Sequence, residues 1–229
     1  YIGGYDGGLY AIDLGNGELI WDFPTGDRVW IAPAVADGTV FARSDDGNIY
    51  AVDAESGVEL WRAAIGWNNE SSAPAVANGM VYVGGADGIL YALDAVSGAE
   101  QWQVALESIV DVTPTVSGGV VYASATVPRE TGALHAFDAA TGAEIWRLDV
   151  PAGVSSPAAI SDGVAWFGDW DSVLHAVDLA TGTELWTLQI DDGYAASTPA
   201  VIDGVIYVGS IGSEASHVFA ISGTIQSQP

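Results

Sequence analysis

The strongest constraint on this 229-residue chain is a phrase that occurs five times. Residues 90–102, "LYALDAVSGAEQW", reappear as "LYAIDLGNGELIW" (9–21), "IYAVDAESGVELW" (49–61), "LHAFDAATGAEIW" (134–146) and "LHAVDLATGTELW" (174–186). The anchor acids Asp13, Asp53, Asp94, Asp138 and Asp178 stand 40, 41, 44 and 40 residues apart. Each is followed four positions later by Gly (17, 57, 98, 142, 182) and eight positions later by Trp21, Trp61, Trp102, Trp146 or Trp186. A fixed period of this length is the mark of a repeat architecture, in which one unit cannot bury its own faces and must stack on the next.

Upstream of each anchor the pattern continues. Asp37-Gly38, Asn78-Gly79, Gly118-Gly119, Asp162-Gly163 and Asp203-Gly204 occupy one repeat position. Such pairs tolerate the positive φ of a two-residue hairpin, so two short strands meet there. Aromatic residues recur in the second strand (Tyr1, Phe41, Tyr82, Tyr122, Trp166, Tyr207), and Tyr10, Tyr50, Tyr91, His135, His175 and Phe219 share a third-strand position. Each unit reads as four strands, as in "PAV", "VYVG", "LYALD" and "ELW", and no stretch holds helical periodicity long enough to compete. The fold class is therefore all-β, a β-propeller of four-stranded antiparallel blades in a single domain 1–229. The repeats run approximately 1–28, 29–66, 67–108, 109–150, 151–191 and 192–229, four complete blades with an incomplete, three-stranded one at each end. Two readings stay open: six blades closing with two short ones, or a segment of a seven- or eight-bladed ring. The chain opens on Tyr1, inside a repeat, as expected of a processed or trimmed product.

Each repeated residue has a packing role. The Asp carboxylate caps the turn between the third and fourth strands by accepting backbone N–H groups. The Gly takes the conformation that turn needs, and the Trp closes the blade against its neighbour. Burying an indole removes on the order of 200 Å² from water, roughly 5 kcal/mol gross. The phrase "ALDAVSGAEQW" is similar to the tryptophan-docking motif, Ala-x-Asp-x-x-x-Gly-x-x-x-Trp, of the PQQ-type (quinoprotein-like) propeller repeat family, and the resemblance covers essentially the whole chain. That family includes quinoprotein alcohol dehydrogenases, an outer-membrane assembly lipoprotein and surface proteins of unknown role. The resemblance implies the fold and leaves several activities open.

Composition narrows those activities. Thirty acidic side chains stand against five basic ones, all Arg, for a net charge of -25. Such a field repels nucleic acid phosphates and anionic lipid surfaces. An absence of Lys with an excess of Asp fits adaptation to high salt, where the Debye length shrinks to about 3 Å at 1 M; an acidic secreted protein from a GC-rich genome is the alternative. There is no Cys, hence no disulfide, thiolate metal site or thiol nucleophile. No apolar run is long enough to insert in a bilayer as a helix.

Candidate functional residues fall in the loops joining strands two to three and four to one, which share one face and differ from blade to blade. Loops that vary on a rigid frame are where binding groups sit. The candidates are Arg28, Trp30, Trp67, Asn69, Glu70, Asp111, Arg129, Trp170 and Tyr194, with Glu130 beside Arg129. Trp166 stands at the shared aromatic position and is expected in the core, whereas Trp30 and Trp170 are expected to be dispensable for stability. His135 and His175 replace Tyr in packing, and His217 is placed near the end of a strand-two to strand-three loop. No catalytic motif and no metal site are recognised; "SDDGN" and "DWDS" are acidic enough for calcium but lack the spacing of a calcium loop.

The expectation is a non-catalytic propeller that binds a protein or glycan partner through its variable face. It would work extracellularly or at the cell surface, with the periplasm as the alternative. Two rival readings are retained. The family resemblance implies a PQQ- and calcium-dependent dehydrogenase fragment, in which Asp111 and Glu70 would imitate the catalytic base and a calcium ligand. The unpaired strands of the end blades suggest a structural surface subunit that self-associates.

Overall fold

The computed structural model describes residues 1–66, 72–85, 87–106, 108–110, 112–127, 130–195, 197–212 and 214–222. Strands and turns account for all regular structure among these residues. The first sheet has three strands, β1 (Ile2–Gly3), β2 (Gly8–Ile12) and β3 (Leu19–Pro24), in that order. The second runs β4 (Ala34–Ala36), β5 (Thr39–Arg43), β6 (Asn48–Asp53), β7 (Glu59–Ala64). The third repeats this with β8 (Ala75–Ala77), β9 (Met80–Gly84), β10 (Ile89–Asp94) and β11 (Glu100–Ala105). The fourth has β12 (Thr115–Ser117), β13 (Val120–Val127), β14 (Thr131–Asp138) and β15 (Glu144–Val150). The fifth has β16 (Ala159–Ser161), β17 (Val164–Gly168), β18 (Val173–Asp178) and β19 (Glu184–Gln189). The last sheet holds the expected β21 (Ala200–Ile202), β22 (Val205–Ile211) and β23 (Ser216–Ser222), and the preceding loop adds a fourth strand, β20 (Tyr194–Ala195), against the far end of β22. His217 therefore lies within β23, opposite Ser210, rather than in a loop.

Two local devices recur. At the first hairpin Asp37, Asn78, Gly118, Asp162 and Asp203 have φ between 48° and 58°, and the Gly that follows each has φ between 74° and 80°. Both residues are left-handed, as a two-residue turn matching strand twist requires. Where the third strand meets the fourth, the register slips at the same place five times, between Ala11/Ile12, Ala51/Val52, Ala92/Leu93, Ala136/Phe137 and Ala176/Val177. The residue left over by this bulge precedes the Trp and turns outward, so Ile20, Leu60, Ile145 and Leu185 are exposed while Trp21, Trp61, Trp102 and Trp146 are buried.

The chain divides into two compact units, residues 1–121 with 138–143 and residues 122–137 with 144–229. In the first unit, side chains of adjacent sheets interdigitate in two clusters. One joins Leu9, Trp21 and Val29 to Val40 and Tyr50; the other joins Phe41, Ile49 and Trp61 to Val81 and Tyr91. In the second unit Val164, Trp166 and Leu174 pack on Ile206 and Val208, which confirms Trp166 as core.

The repeated phrase is the fastener between sheets. Asp13, Asp53, Asp94, Asp138 and Asp178 each accept a backbone N–H two or three residues on, at 2.7–2.9 Å. The indole N–H groups of Trp21, Trp61, Trp102 and Trp146 donate to Ala54, Ala95, Ala139 and Leu179, the residue after the next anchor Asp, at 2.9–3.1 Å. The Gly of that next repeat lies flat under the ring. A Cβ at Gly98 would come within 2.6 Å of Trp61, and one at Gly142 within 2.8 Å of Trp102. The second-strand aromatic leans on the same ring, with centroids 5.8 Å apart for Phe41–Trp61, Tyr82–Trp102 and Tyr122–Trp146. The Asp, Gly and Trp spacing thus encodes docking of one sheet on the next.

Candidate functional site

Three of the loops from fourth to first strands are each anchored by one apolar side chain. A Cβ at Gly3 would overlap Val29, one at Gly84 would overlap Val110, and one at Gly168 would overlap Ala195. Val29, Val110 and Ala195 are fully buried. Glycine at the end of the second strand is therefore the socket for the following loop. The residues flanking the plug are left outside, and they include Arg28, Trp30 and Tyr194.

In the first unit the socket is elaborated into a cluster. The 24–30 loop is tied down on both sides: Thr25 Oγ1 donates to Gly7 O at 2.8 Å, Gly26 N–H to Asp46 Oδ2 at 2.8 Å, and Asp45 N–H to Arg28 O at 2.9 Å. Asp45, almost fully buried, accepts from the Trp30 indole N–H at 3.1 Å through Oδ1, and its Oδ2 is ion-paired with Arg28 at 2.8 Å. Burying this carboxylate is tolerable because one oxygen accepts an indole N–H and the other faces a guanidinium. Trp30 stays 44% exposed and Arg28 lies 5.9 Å over the exposed Tyr5 ring, so Tyr5, Arg28 and Trp30 form a fixed aromatic and cationic patch. Sequence reasoning found Arg28 and Trp30 but not Asp45, whose role depends on which loops meet. It also missed Arg43, a buried guanidinium donating to Gly84 O at 2.9 Å, although an Arg where the repeat has Gly3, Gly84 and Gly168 was a visible signal.

In the second unit Trp170 stacks on Tyr194, with centroids 5.1 Å apart and planes at 30°. Trp170 is only partly exposed, and its indole nitrogen is buried. It is therefore packed, contrary to the expectation that it is a free rim residue. Its loop is held by Trp170 N–H to Gly153 O at 3.2 Å and Ala195 N–H to Asp169 O at 3.2 Å. Asp169 also accepts the N–H groups of Asp171 and Val173. The remaining candidates Trp67, Asn69, Glu70, Asp111 and Arg129 lie outside the described residues. Glu130, described at the head of β14, donates its N–H to Val127 O at 3.0 Å.

The third-strand position is a lock on the preceding loop. Tyr10, Tyr50 and Tyr91 donate their hydroxyls to Asp6, Asp46 and Asp87 at 2.6, 2.6 and 2.8 Å. Burial pushes the Asp46 carboxyl up, but hydrogen bonds from Tyr50 and from the N–H groups of Asn48 and Gly26 outweigh it and hold it below the usual carboxylate range. His175 is locked on both sides: Nε2 faces Asp169 at 3.0 Å and Nδ1 faces Glu184 at 2.7 Å. Burial disfavours its charge, yet the two carboxylates overcome this and raise it above the ordinary imidazole value. His135 pairs with Glu144 at 2.7 Å in the same manner. The histidines thus do more than fill a Tyr-shaped space.

The acidic stretches do not suit calcium. Asp45, Asp46 and Asp169 are committed to Arg28, Tyr50 and His175, and among the described residues no three acids or histidines converge on a common point. No helix among the described residues is long and apolar enough to cross a membrane.

Four-stranded antiparallel sheets fastened by Asp, Gly and Trp define a β-propeller of the PQQ-type repeat class. The family model described as outer membrane protein assembly factor BamB matches residues 5–126 and again 87–228, and the chain belongs to that family. Two curated relatives resemble parts of it. Tetrathionate hydrolase of Acidithiobacillus ferrooxidans is 30% identical over 66 residues, 29% of this chain and 13% of the relative. Outer membrane protein assembly factor BamB of Yersinia pestis is 38% identical over 80 residues, 30% of this chain and 20% of the relative. The match thus spans a fifth or less of either relative's length. The computationally designed protein Ika8 superposes on 97% of this chain and 67% of its own, with a TM-score of 0.77 at 21% identity, a likeness of fold alone.

Proposed function

We propose that this chain is a non-catalytic propeller that binds a protein segment or a glycan outside the cytoplasm through its variable loops, which carry Arg28 and Trp30 in the first unit and Trp170 and Tyr194 in the second. The observation that carries this reading is the Tyr5, Arg28 and Trp30 patch. An exposed indole and guanidinium are held rigid by a buried carboxylate, which is the preorganisation that a contact surface needs. The negative field opposes anionic partners, so the partner is neutral or cationic. The name of the family, an outer membrane assembly factor, supports a protein partner and a place outside the cytoplasm. Exposed acids suit a salty medium, in which self-repulsion is screened and the melting temperature rises with salt.

The test is an array of neutral glycans and of neutral and basic peptides probed with the purified chain. The reading expects saturable binding to one of these classes, weakened by high salt only for basic peptides. Dye reduction that requires PQQ and Ca²⁺ with an alcohol or sugar would overturn it in favour of a dehydrogenase. Concentration-dependent self-association in light scattering, with no binding on the array, would favour a structural subunit.

A further inference from the structure

The 169–172 loop of the fifth sheet departs from its counterparts in three ways that share a consequence. First, its lock titrates. In the first three sheets the lock is a Tyr hydroxyl on the Asp four residues before it. A phenol keeps its proton throughout the neutral range. In the fifth sheet His175 takes that position, and its partner is Asp169, six residues before. Both ring nitrogens face carboxylate oxygens, at 2.7 and 3.0 Å. Only the imidazolium has a proton for each; the neutral ring turns a lone pair toward one of them.

Second, the loop is strained where the others are relaxed. Ser172 has φ +61°, at the position held by Gly7, Gly47 and Gly88 with φ +86°, +89° and +77°. A residue with a Cβ is disfavoured there. Third, the Ser172 hydroxyl and the Trp170 indole N–H are buried without a hydrogen-bond partner among the described residues. The closed loop is thus held against a local cost, and Asp169 is the hinge pin. Its carboxylate serves His175, Asp171 N–H and Val173 N–H together.

We propose that His175 is a pH-dependent clamp on this loop: protonated, it holds Asp169 and keeps Trp170 stacked on Tyr194; deprotonated, it releases the loop and frees the Trp170 face. The proposal rests on the reading that the variable loops are the binding surface, and it assigns that surface a regulator. Every charged group around the ring bears on the clamp. Glu184 on β19 and Asp169 touch it, and Asp149 on β15 and Asp171 line the same cleft of about 460 Å³. Asp149 is paired with Arg147 at 2.8 Å, and Phe167 on β17 stacks on the ring at 4.8 Å without charge. The ionised neighbours all favour the protonated ring, so release comes on the alkaline side, and the proton leaves to solvent.

The experiment follows the Trp170 indole N–H and the His175 ring by NMR from about pH 5.5 to about pH 9.5, the range in which a perturbed imidazole titrates. Trp170→Phe assigns the indole signal. The clamp predicts that the Trp170 signal moves with the same midpoint as His175. His175→Tyr, which gives the fifth sheet the residue of its counterparts, should fold and leave the Trp170 signal flat. Ser172→Gly should relieve the strain and shrink the movement. A His175 titration with a stationary Trp170 signal, or no His175 titration in this range, overturns the clamp. Because no ligand is needed, the clamp can fail while the array detects binding, and it can stand while the array detects none.

Discussion

The turns after the third strands and the loops after the second strands use the same residue types, Asp, Gly and an aromatic, to opposite ends. In the turns, the same atoms meet in repeat after repeat: Asp to its own turn, indole N–H to the carbonyl after the next Asp, Gly beneath the ring. In the loops one contact repeats, a phenol on Asp6, Asp46 and Asp87, and the others do not. Asp45 holds Arg28 and Trp30, and Asp169 holds His175. A partner that repeats marks a contact needed for stability wherever it occurs. A partner that changes while the frame stays constant marks a position free to serve a local purpose.

The comparison breaks most visibly at the docking indole. Trp102→Ala removes a buried ring, its carbonyl bond to Ala139 and its contact with Tyr82, and should lower stability by about 3–5 kcal/mol in denaturant unfolding. An unchanged midpoint would mean the turns are not the fasteners. Two glycines separate backbone from packing. Gly79 and Gly98 have nearly equal φ, +74° and +71°, but a Cβ at Gly79 meets nothing within 4 Å whereas one at Gly98 meets Trp61 at 2.6 Å. Gly79→Ala should cost about 1 kcal/mol, the conformational penalty alone. Gly98→Ala should exceed it by about 1–3 kcal/mol, and equal costs would deny that the ring rests on the glycine.

The loop side predicts smaller effects. Ser172→Gly should raise stability by about 0.5–1 kcal/mol, because the left-handed conformation ceases to be strained; a loss would show that its hydroxyl is structurally required. The pH effect is gentler still. A group raised in the folded state contributes fully below its unfolded value, about 6.5 for His, and its contribution fades as pH rises through the folded value. The melting temperature should therefore drift down on the alkaline side in the native chain and stay flat in His175→Tyr, and parallel curves would remove His175 as the cause. The turn carboxylates act in the other direction. Hydrogen bonds from Ser97 Oγ and N–H hold Asp94 below the usual range, so its contribution is present above about 3.9 and lost as pH falls through the lowered value.

Much of the frame was legible in the residues because repetition aligns them. Five copies of Asp, Gly and Trp at fixed spacing left only one role for each, and paired Asn-Gly and Asp-Gly marked the hairpins that form. What stayed hidden depends on the path of unrepeated loops. Nothing in the spacing says that Trp30 reaches Asp45, fifteen positions away, or that His175 passes over Asp171, aligned with the Tyr partners, to take Asp169 instead. Trp170 looked like a free aromatic because its repeat position has no partner elsewhere; its partner, Tyr194, is supplied by the next loop. Loops were identifiable as variable, but their contacts are tertiary.

The separation of fastening turns from contacting loops is tested most directly by the Arg28→Ala/Trp30→Ala double variant, melted and applied to the glycan and peptide array from one preparation. Neither lies under a docking ring, but both partner the buried Asp45 carboxylate, so stability should fall by about 1–3 kcal/mol, short of the loss at Trp102. Binding seen with the native chain should fall at least about tenfold, the equivalent of 1.4 kcal/mol. Full binding by the folded variant would contradict the account, and so would a stability loss as large as that of Trp102→Ala.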